Sequence, residues 1–117
     1  MNSQPSLRAD DITRIHQARD LILDRMDSPP TLLELARAVG LNDYKLKIGF
    51  RQVFGTTVFG YLHQQRMEQA RQLLAARDHN ITEVAYTVGY TNPSQFTAAF
   101  KRAYGVTPSD YRASQCA

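Results

Sequence analysis

Apolar residues along this chain recur at intervals of three and four positions, a spacing that predicts helices. Leu46, Gly49, Phe50 and Val53 are one clear example, at i, i+3, i+4 and i+7. No stretch shows the strict alternation of apolar and polar residues that a half-buried strand has. The sequence therefore predicts an all-α fold with seven helices, over residues 11–26, 32–39, 43–54, 58–77, 81–88, 93–103 and 108–111.

Helix starts are marked by side chains that accept hydrogen bonds from the first helical turn. Thr31-x-x-Glu34 and Asn80-x-x-Glu83 are capping boxes that open the second and fifth predicted helices. Asp10 or Asp11 is the expected cap of the first helix. The apolar stripe expected on that helix consists of Ile12, Ile15, Ile22 and Met26.

The chain contains one pattern twice. Leu35-Ala36-x-x-Val39-Gly40-Leu41 returns 49 positions later as Val84-Ala85-x-x-Val88-Gly89-Tyr90. Six further positions return after a shift of 50: Leu46, Phe50, Phe54, Gly55, Thr57 and Tyr61 become Phe96, Phe100, Tyr104, Gly105, Thr107 and Tyr111. A repeat of this length indicates a duplicated supersecondary unit.

Each copy predicts a helix, a glycine turn and a second helix. A small residue (Ala36, Ala85) and a turn glycine (Gly40, Gly89) allow two helices to cross closely. The chain is thus expected to hold two homeodomain-like helix-turn-helix subdomains joined by a long central helix. The segments are a lead-in (1–9), a first subdomain (10–56), a linker helix (57–77), a second subdomain (78–113) and a tail (114–117).

The second helix of a helix-turn-helix enters the major groove of DNA, so its outward face carries the candidate site. Base contacts are expected from Tyr44, Lys45, Lys47, Ile48, Ser94, Gln95, Thr97 and Ala98. Lysine suits guanine, glutamine suits adenine, and alanine or isoleucine suits the thymine methyl group. Residues farther along suit phosphates. Those expected there are Arg51, Gln52, Lys101 and Arg102.

The linker helix suggests how one chain uses both units. About 20 residues at about 1.5 Å each give roughly 30 Å. Successive major grooves on one face of DNA lie about 34 Å apart. We therefore expect the two recognition helices to enter successive major grooves.

Charge and composition agree with a DNA partner without identifying one. The net charge is +3, and residues 31–117 hold ten basic and six acidic side chains. The single cysteine, Cys116, cannot form an internal disulfide, which is typical of a reducing compartment. No signal peptide or membrane-spanning run is visible, so a cytoplasmic location is expected.

The run from Ile81 to Arg112, ITEVAYTVGYTNPSQFTAAFKRAYGVTPSDYR, closely resembles the signature of the AraC/XylS family of bacterial transcription regulators. The resemblance extends over about residues 10–113. It implies a seven-helix DNA-binding domain whose base contacts come from the outward positions named above. It also implies a phosphate contact at His63 and RNA polymerase as a partner.

The chain departs from the family pattern at two matched positions. The family often has arginine where Ile48 and Ala98 stand. The departure shifts the expected contacts toward apolar ones and toward Lys45 and Lys47.

A narrower resemblance lies in residues 41–62, LNDYKLKIGFRQVFGTTVFGYL, which look like siderophore-responsive regulators of the pyochelin and alcaligin type. It implies control of iron-uptake genes. Most such proteins carry a separate effector-binding domain, and none fits in 117 residues. An excised domain and a single-domain regulator are both open at this point.

Two other function classes compete with DNA binding. A helical protein-interaction module would need exposed apolar surface on the recognition helices, but their outward faces are mostly polar or basic. An enzyme would need a catalytic or metal-binding motif. His16, His63 and His79 lack the spacing of a metal site, and no phosphate-binding glycine loop is present. Neither an enzyme activity, a metal nor a cofactor is expected.

Overall fold

A computed structural model describes residues 6–115 of the chain. That part contains seven α-helices and no strand, in agreement with the predicted all-α fold. The helices are α1 (Ala9–Asp24), α2 (Leu32–Val39), α3 (Asp43–Phe54), α4 (Val58–Ala76), α5 (Ile81–Thr87), α6 (Pro93–Tyr104) and α7 (Pro108–Ser114). The first five residues of the expected lead-in, and Cys116 in the expected tail, lie outside the described residues.

The helices form two compact units, divided between Leu62 and His63 within α4. Unit 1 contains α1, α2, α3 and the start of α4. Unit 2 contains the remainder of α4, followed by α5, α6 and α7. Each unit has a hydrophobic core of its own.

The core of unit 1 is built by the apolar faces of its helices. α1 contributes Ile15, Ala18 and Ile22, and α3 contributes Leu46 and Phe50, all of them at most 2% exposed. The remaining buried members are Leu35, Ala36, Val39, Val58 and Leu62.

The core of unit 2 repeats the spacing of these buried positions. Met67, Ala70 and Leu74 of α4 have the same spacing as Ile15, Ala18 and Ile22 of α1, with a shift of 52 positions. α4 therefore has in unit 2 the role that α1 has in unit 1, a correspondence absent from the sequence prediction. The other buried members are Val84, Ala85, Val88, Phe96, Ala99 and Phe100.

Aromatic packing fixes the second helix of each helix-turn-helix. In unit 1 the ring of Phe50 lies 4.6 Å from that of Phe54 and 5.7 Å from that of Tyr61, between centroids. In unit 2 Phe100 lies 4.8 Å from Tyr104 and 5.8 Å from Tyr111. The same three-ring contact is thus made twice, as the shift of 50 positions predicts.

The start of α1 differs from its prediction. The cap position is Arg8, and Asp11 is the third helical residue, where its carboxylate accepts a hydrogen bond from the Arg8 backbone N–H at 3.0 Å. Asp10 instead pairs with Arg14 one turn along the helix. The predicted apolar stripe was wrong at Ile12, which is 39% exposed.

The other helix boundaries agree with prediction within a few residues. Both capping boxes are present, at Thr31 with Glu34 and at Asn80 with Glu83. The i, i+3, i+4, i+7 spacing that places Phe96, Ala99 and Phe100 inward also predicts an inward Ala103. Ala103 is exposed, because the last turn of α6 extends past the buried Ala99 and Phe100. No helix in the described part of the chain combines the length and apolarity that crossing a membrane requires.

Replacing Phe100 with alanine is expected to destabilise unit 2 by about 3–5 kcal/mol, because the fully buried ring leaves a cavity. Urea unfolding followed by circular dichroism measures the change. Phe59→Ala is the matched control, since that ring is 47% exposed and its loss should cost less than about 1 kcal/mol. Equal losses in the two variants would contradict the packing described here.

Candidate nucleic-acid interface

A hydrogen-bonded glycine turn sets the crossing of the two helices in each unit. In unit 1 the backbone N–H of Leu41 donates to the carbonyl of Ala36 at 3.0 Å, across Gly40 at φ 76°. In unit 2 the N–H of Tyr90 donates to the carbonyl of Ala85 at 2.9 Å, across Gly89 at φ 102°. These six-to-one bonds end the first helix with a left-handed residue, as in a Schellman motif. Both units therefore share the local geometry of a helix-turn-helix.

Asparagine side chains begin the second helix of each unit. The Asn42 side-chain oxygen accepts a hydrogen bond from the Lys45 backbone N–H at 2.7 Å. The Asn92 oxygen accepts from the N–H groups of Ser94 and Gln95, at 2.9 and 3.4 Å. Satisfying these otherwise unpaired donors fixes the first turn of α3 and α6, where base-reading residues are expected.

The outward face of α3 carries residues that were predicted from the sequence to contact DNA. Tyr44 is 53% exposed, Lys47 is exposed, and Ile48 is half-buried. No partner for the Lys47 ammonium occurs among residues 6–115. Arg51 and Gln52 follow on the same helix and are exposed.

Lys45 differs from Lys47 because it is bound within unit 1. Its ammonium lies 3.3 Å from the carboxylate of Asp11, and both side chains are partly or largely buried. The Arg8 backbone N–H, followed by Lys45, holds the pKa of Asp11 below its ordinary value. The pair attaches the first turn of α3 to the start of α1. Sequence reasoning missed this contact, which joins residues 34 positions apart.

The outward face of α6 is uncharged over its first two turns. Ser94, Gln95 and Ala98 are exposed, and Thr97 is half-buried. Lys101 and Arg102 are exposed in the last turn. The structure therefore brings the predicted residues of unit 2 onto one helix face, with the cations toward its C-terminal end.

His63 lies at the start of the unit 2 portion of α4. Its Nδ1 atom is 3.4 Å from the Tyr90 hydroxyl, and the Arg66 guanidinium lies 5.8 Å from the centre of the Tyr90 ring. Partial burial raises the pKa of Tyr90 above its ordinary value. These contacts place one imidazole and one guanidinium beside the residue that follows the turn.

Two further arginines support the frame and were not named from the sequence. Arg14 of α1 donates to the carbonyl of Val39 at 3.0 Å and so caps the end of α2. Arg71 of α4 pairs with Glu68 and donates to the Tyr111 hydroxyl at 3.4 Å. The bond from Arg71 is the main reason that the pKa of Glu68 is lowered. The shift of 52 positions, which places Arg66 at the position of Arg14 and Arg71 at the position of Arg19, is the signal that would have directed attention to arginines on α1 and α4.

Metal-binding chemistry finds no support within residues 6–115. No group of three or more histidine, cysteine, aspartate or glutamate side chains there is arranged to hold a metal ion. The geometry that the two units do share is an exposed helix face directly after a rigid turn.

Comparison with known proteins identifies relatives of this arrangement. A family profile described as a helix-turn-helix domain matches residues 35–114. The regulatory protein PchR of Pseudomonas aeruginosa is 44% identical over 78 residues, which are 67% of this chain and 26% of PchR. The chain thus spans about a quarter of the length of that relative.

Solved structures agree with the fold. An AraC-type DNA-binding-domain transcriptional regulator from Chromobacterium violaceum has a TM-score of 0.82 at 24% identity, covering 92% of this chain and 96% of that one. The DNA-binding domain of AdpA, solved in complex with a target DNA, has a TM-score of 0.79 at 26% identity. That match covers 86% of this chain and 91% of the AdpA chain.

Asp11→Asn is expected to lower stability at neutral pH, because it removes a carboxylate that accepts bonds from Arg8 and Lys45. A lowered pKa in the folded state means that this contribution is fully present above about pH 4 and is lost as the pH falls further. Urea unfolding between pH 2 and 7 should therefore show the two curves converging in acid. Asp27→Asn is the exposed control. A constant difference at every pH would contradict the role given to the carboxylate.

Proposed function

The chain belongs to the AraC family of transcription regulators, and we propose that it binds promoter DNA through the outward faces of α3 and α6. The observation that carries the proposal is the duplicated turn geometry with an exposed, polar helix face after each turn. The solved AdpA complex supports the same chemistry in a related domain.

In unit 1, Lys47 is the principal base-reading cation of the proposal. It is exposed on α3, and its flexible ammonium suits the O6 and N7 acceptors of guanine. Tyr44 and Ile48 add apolar contacts at the neighbouring positions. Lys45 contributes to a smaller extent, because its bond to Asp11 must loosen before the ammonium reaches a base.

In unit 2, Ser94, Gln95, Thr97 and Ala98 are proposed to meet the bases. Phosphates are proposed to be bound farther along each helix and at the start of the unit 2 part of α4. The residues assigned to phosphates are Arg51, Gln52, His63, Lys101 and Arg102. Such contacts position a protein on the duplex without carrying sequence information.

Each unit is proposed to take one half-site, with the two half-sites in successive major grooves. The use of both units by one chain is supported by the presence of the same turn and the same exposed second-helix face in each unit. The five-segment division of the chain, with a linker helix between the subdomains, belongs to the same proposal.

The regulated genes are proposed to concern iron or siderophore uptake. The 44% identity to PchR supports this assignment, together with the resemblance of residues 41–62 to pyochelin-type regulators. RNA polymerase is the expected protein partner and the bacterial cytoplasm the expected compartment. We assign the chain no catalytic activity.

Lys47→Ala and Lys101→Ala are expected to act differently on DNA binding. Loss of Lys47 should weaken binding to the specific site about 5- to 150-fold and change base preference, with little effect on random duplex. Loss of Lys101 should weaken binding to all duplexes and lower the salt slope by about one. Fluorescence anisotropy with specific and random duplexes at several salt concentrations measures both.

Arg25→Ala is the control for removal of one positive charge, since Arg25 lines a hollow between α1 and α2 and lies outside both recognition helices. Equal losses on specific and random DNA in Lys47→Ala would refute base reading by that lysine. Absence of binding to any duplex by the wild-type chain would refute the proposed function and favour a protein-interaction module.

A further inference from the structure

The two recognition helices share a frame but differ in chemistry at matched positions. A shift of 50 residues aligns the buried Leu46 and Phe50 of α3 with the buried Phe96 and Phe100 of α6. The same register places Gln95 where Lys45 stands and Thr97 where Lys47 stands. Burial of the matched apolar side chains turns equivalent positions outward in each unit, so the difference in chemistry lies on the base-reading face.

The N-terminal part of α6 carries no cationic side chain. Residues 93–100 contain no charged side chain, and the basic residues of this helix, Lys101 and Arg102, belong to its last turn. The nearby Arg66 guanidinium lies over the ring of Tyr90. Guanine is most often recognised by an arginine or lysine that donates to its O6 and N7 atoms. This face therefore lacks the usual guanine-reading group.

The groups that α6 does expose suit adenine and thymine. Gln95 is exposed, and its amide can donate to adenine N7 while accepting from adenine N6. The methyl groups of Ala98 and Thr97 suit contact with the thymine methyl group. Because Asn92 fixes the backbone N–H groups of Ser94 and Gln95, the start of the helix is held in place and Gln95 projects from an ordered turn.

The matched face of α3 carries a cation, unlike the N-terminal part of α6. Lys47 is exposed and has no partner among residues 6–115, whereas Lys45 is tied to Asp11. One unpaired ammonium therefore stands on the base-reading face of unit 1. Ile48 beside it offers an apolar contact.

We propose that the two units read half-sites of different base composition. Unit 1 recognises a half-site that contains guanine opposite Lys47, and unit 2 recognises a half-site of A·T pairs, with adenine opposite Gln95 and thymine opposite Thr97 or Ala98. This inference rests on the proposed function, since it specifies the DNA that the same two faces bind.

Selection from a random duplex library, read by sequencing, tests the assignment with the wild-type chain and two variants. Gln95→Ala is expected to reduce adenine preference at one or two positions of the A·T half-site by about 5- to 150-fold. Lys47→Ala should reduce guanine preference in the other half-site alone. Gln17→Ala, which removes an exposed glutamine of α1, is the matched control and should leave both half-sites unchanged.

A gain of specificity gives a second, independent readout. Thr97→Lys copies the residue of unit 1 into unit 2 and should introduce a preference for guanine at a position of the A·T half-site. Circular dichroism tests whether the variant folds with lysine at the half-buried position 97. If it does not fold, the Gln95→Ala selection decides the question.

The outcomes separate the two levels of the proposal. The inference is overturned, with DNA binding intact, if Gln95→Ala removes a preference for guanine or cytosine. It is also overturned if selection yields a single half-site that responds only to Lys47→Ala. No enrichment together with no binding to any duplex overturns the proposed function itself. An A·T half-site that responds only to the unit 2 variants supports the inference.

Discussion

Burial of one aromatic ring in each unit is the constraint on which the remaining features depend. Phe50 and Phe100 are fully buried. Between centroids, Phe50 lies within 6 Å of two further rings and Phe100 within 6 Å of three. When the inward positions of a helix are fixed at three- and four-residue spacing, its outward positions are fixed as well. The hydrophobic core thereby decides which side chains of α3 and α6 are available to a ligand. Lys47 and Gln95 are exposed because Leu46 and Phe96 are not.

The glycine turns convert this local constraint into a defined crossing of helices. Gly40 and Gly89 adopt positive φ, and the next residue donates a hydrogen bond to a carbonyl of the preceding helix. A side chain at either glycine would be strained in that conformation. Arg14 strengthens the turn of unit 1 by donating to the end of α2. Both units make the same turn, while the outward side chains of the helix after it differ.

Local signals made the helices and the helix-turn-helix repeat predictable from the sequence. Capping boxes, glycine turns and apolar spacing act over a few residues. The structure has both capping boxes and both glycine turns at their predicted places, and its helix boundaries lie within a few residues of prediction. Contacts between distant residues were not predictable in the same way. The pairing of Lys45 with Asp11 depends on how α3 packs against α1, and the exposure of Ala103 depends on where the core of unit 2 ends. The helix face that forms the candidate site was predictable. Which of its lysines is paired within the unit was not.

Both units are proposed to contact DNA through the outward residues of their second helices. Nuclear magnetic resonance of the labelled chain, titrated with a duplex recovered by selection, tests it most directly. We predict the largest changes in amide and side-chain signals at residues 43–48 and 93–98, with exposed α1 residues such as Leu23 unaffected. Changes confined to one unit, or centred outside α3 and α6, would contradict the claim.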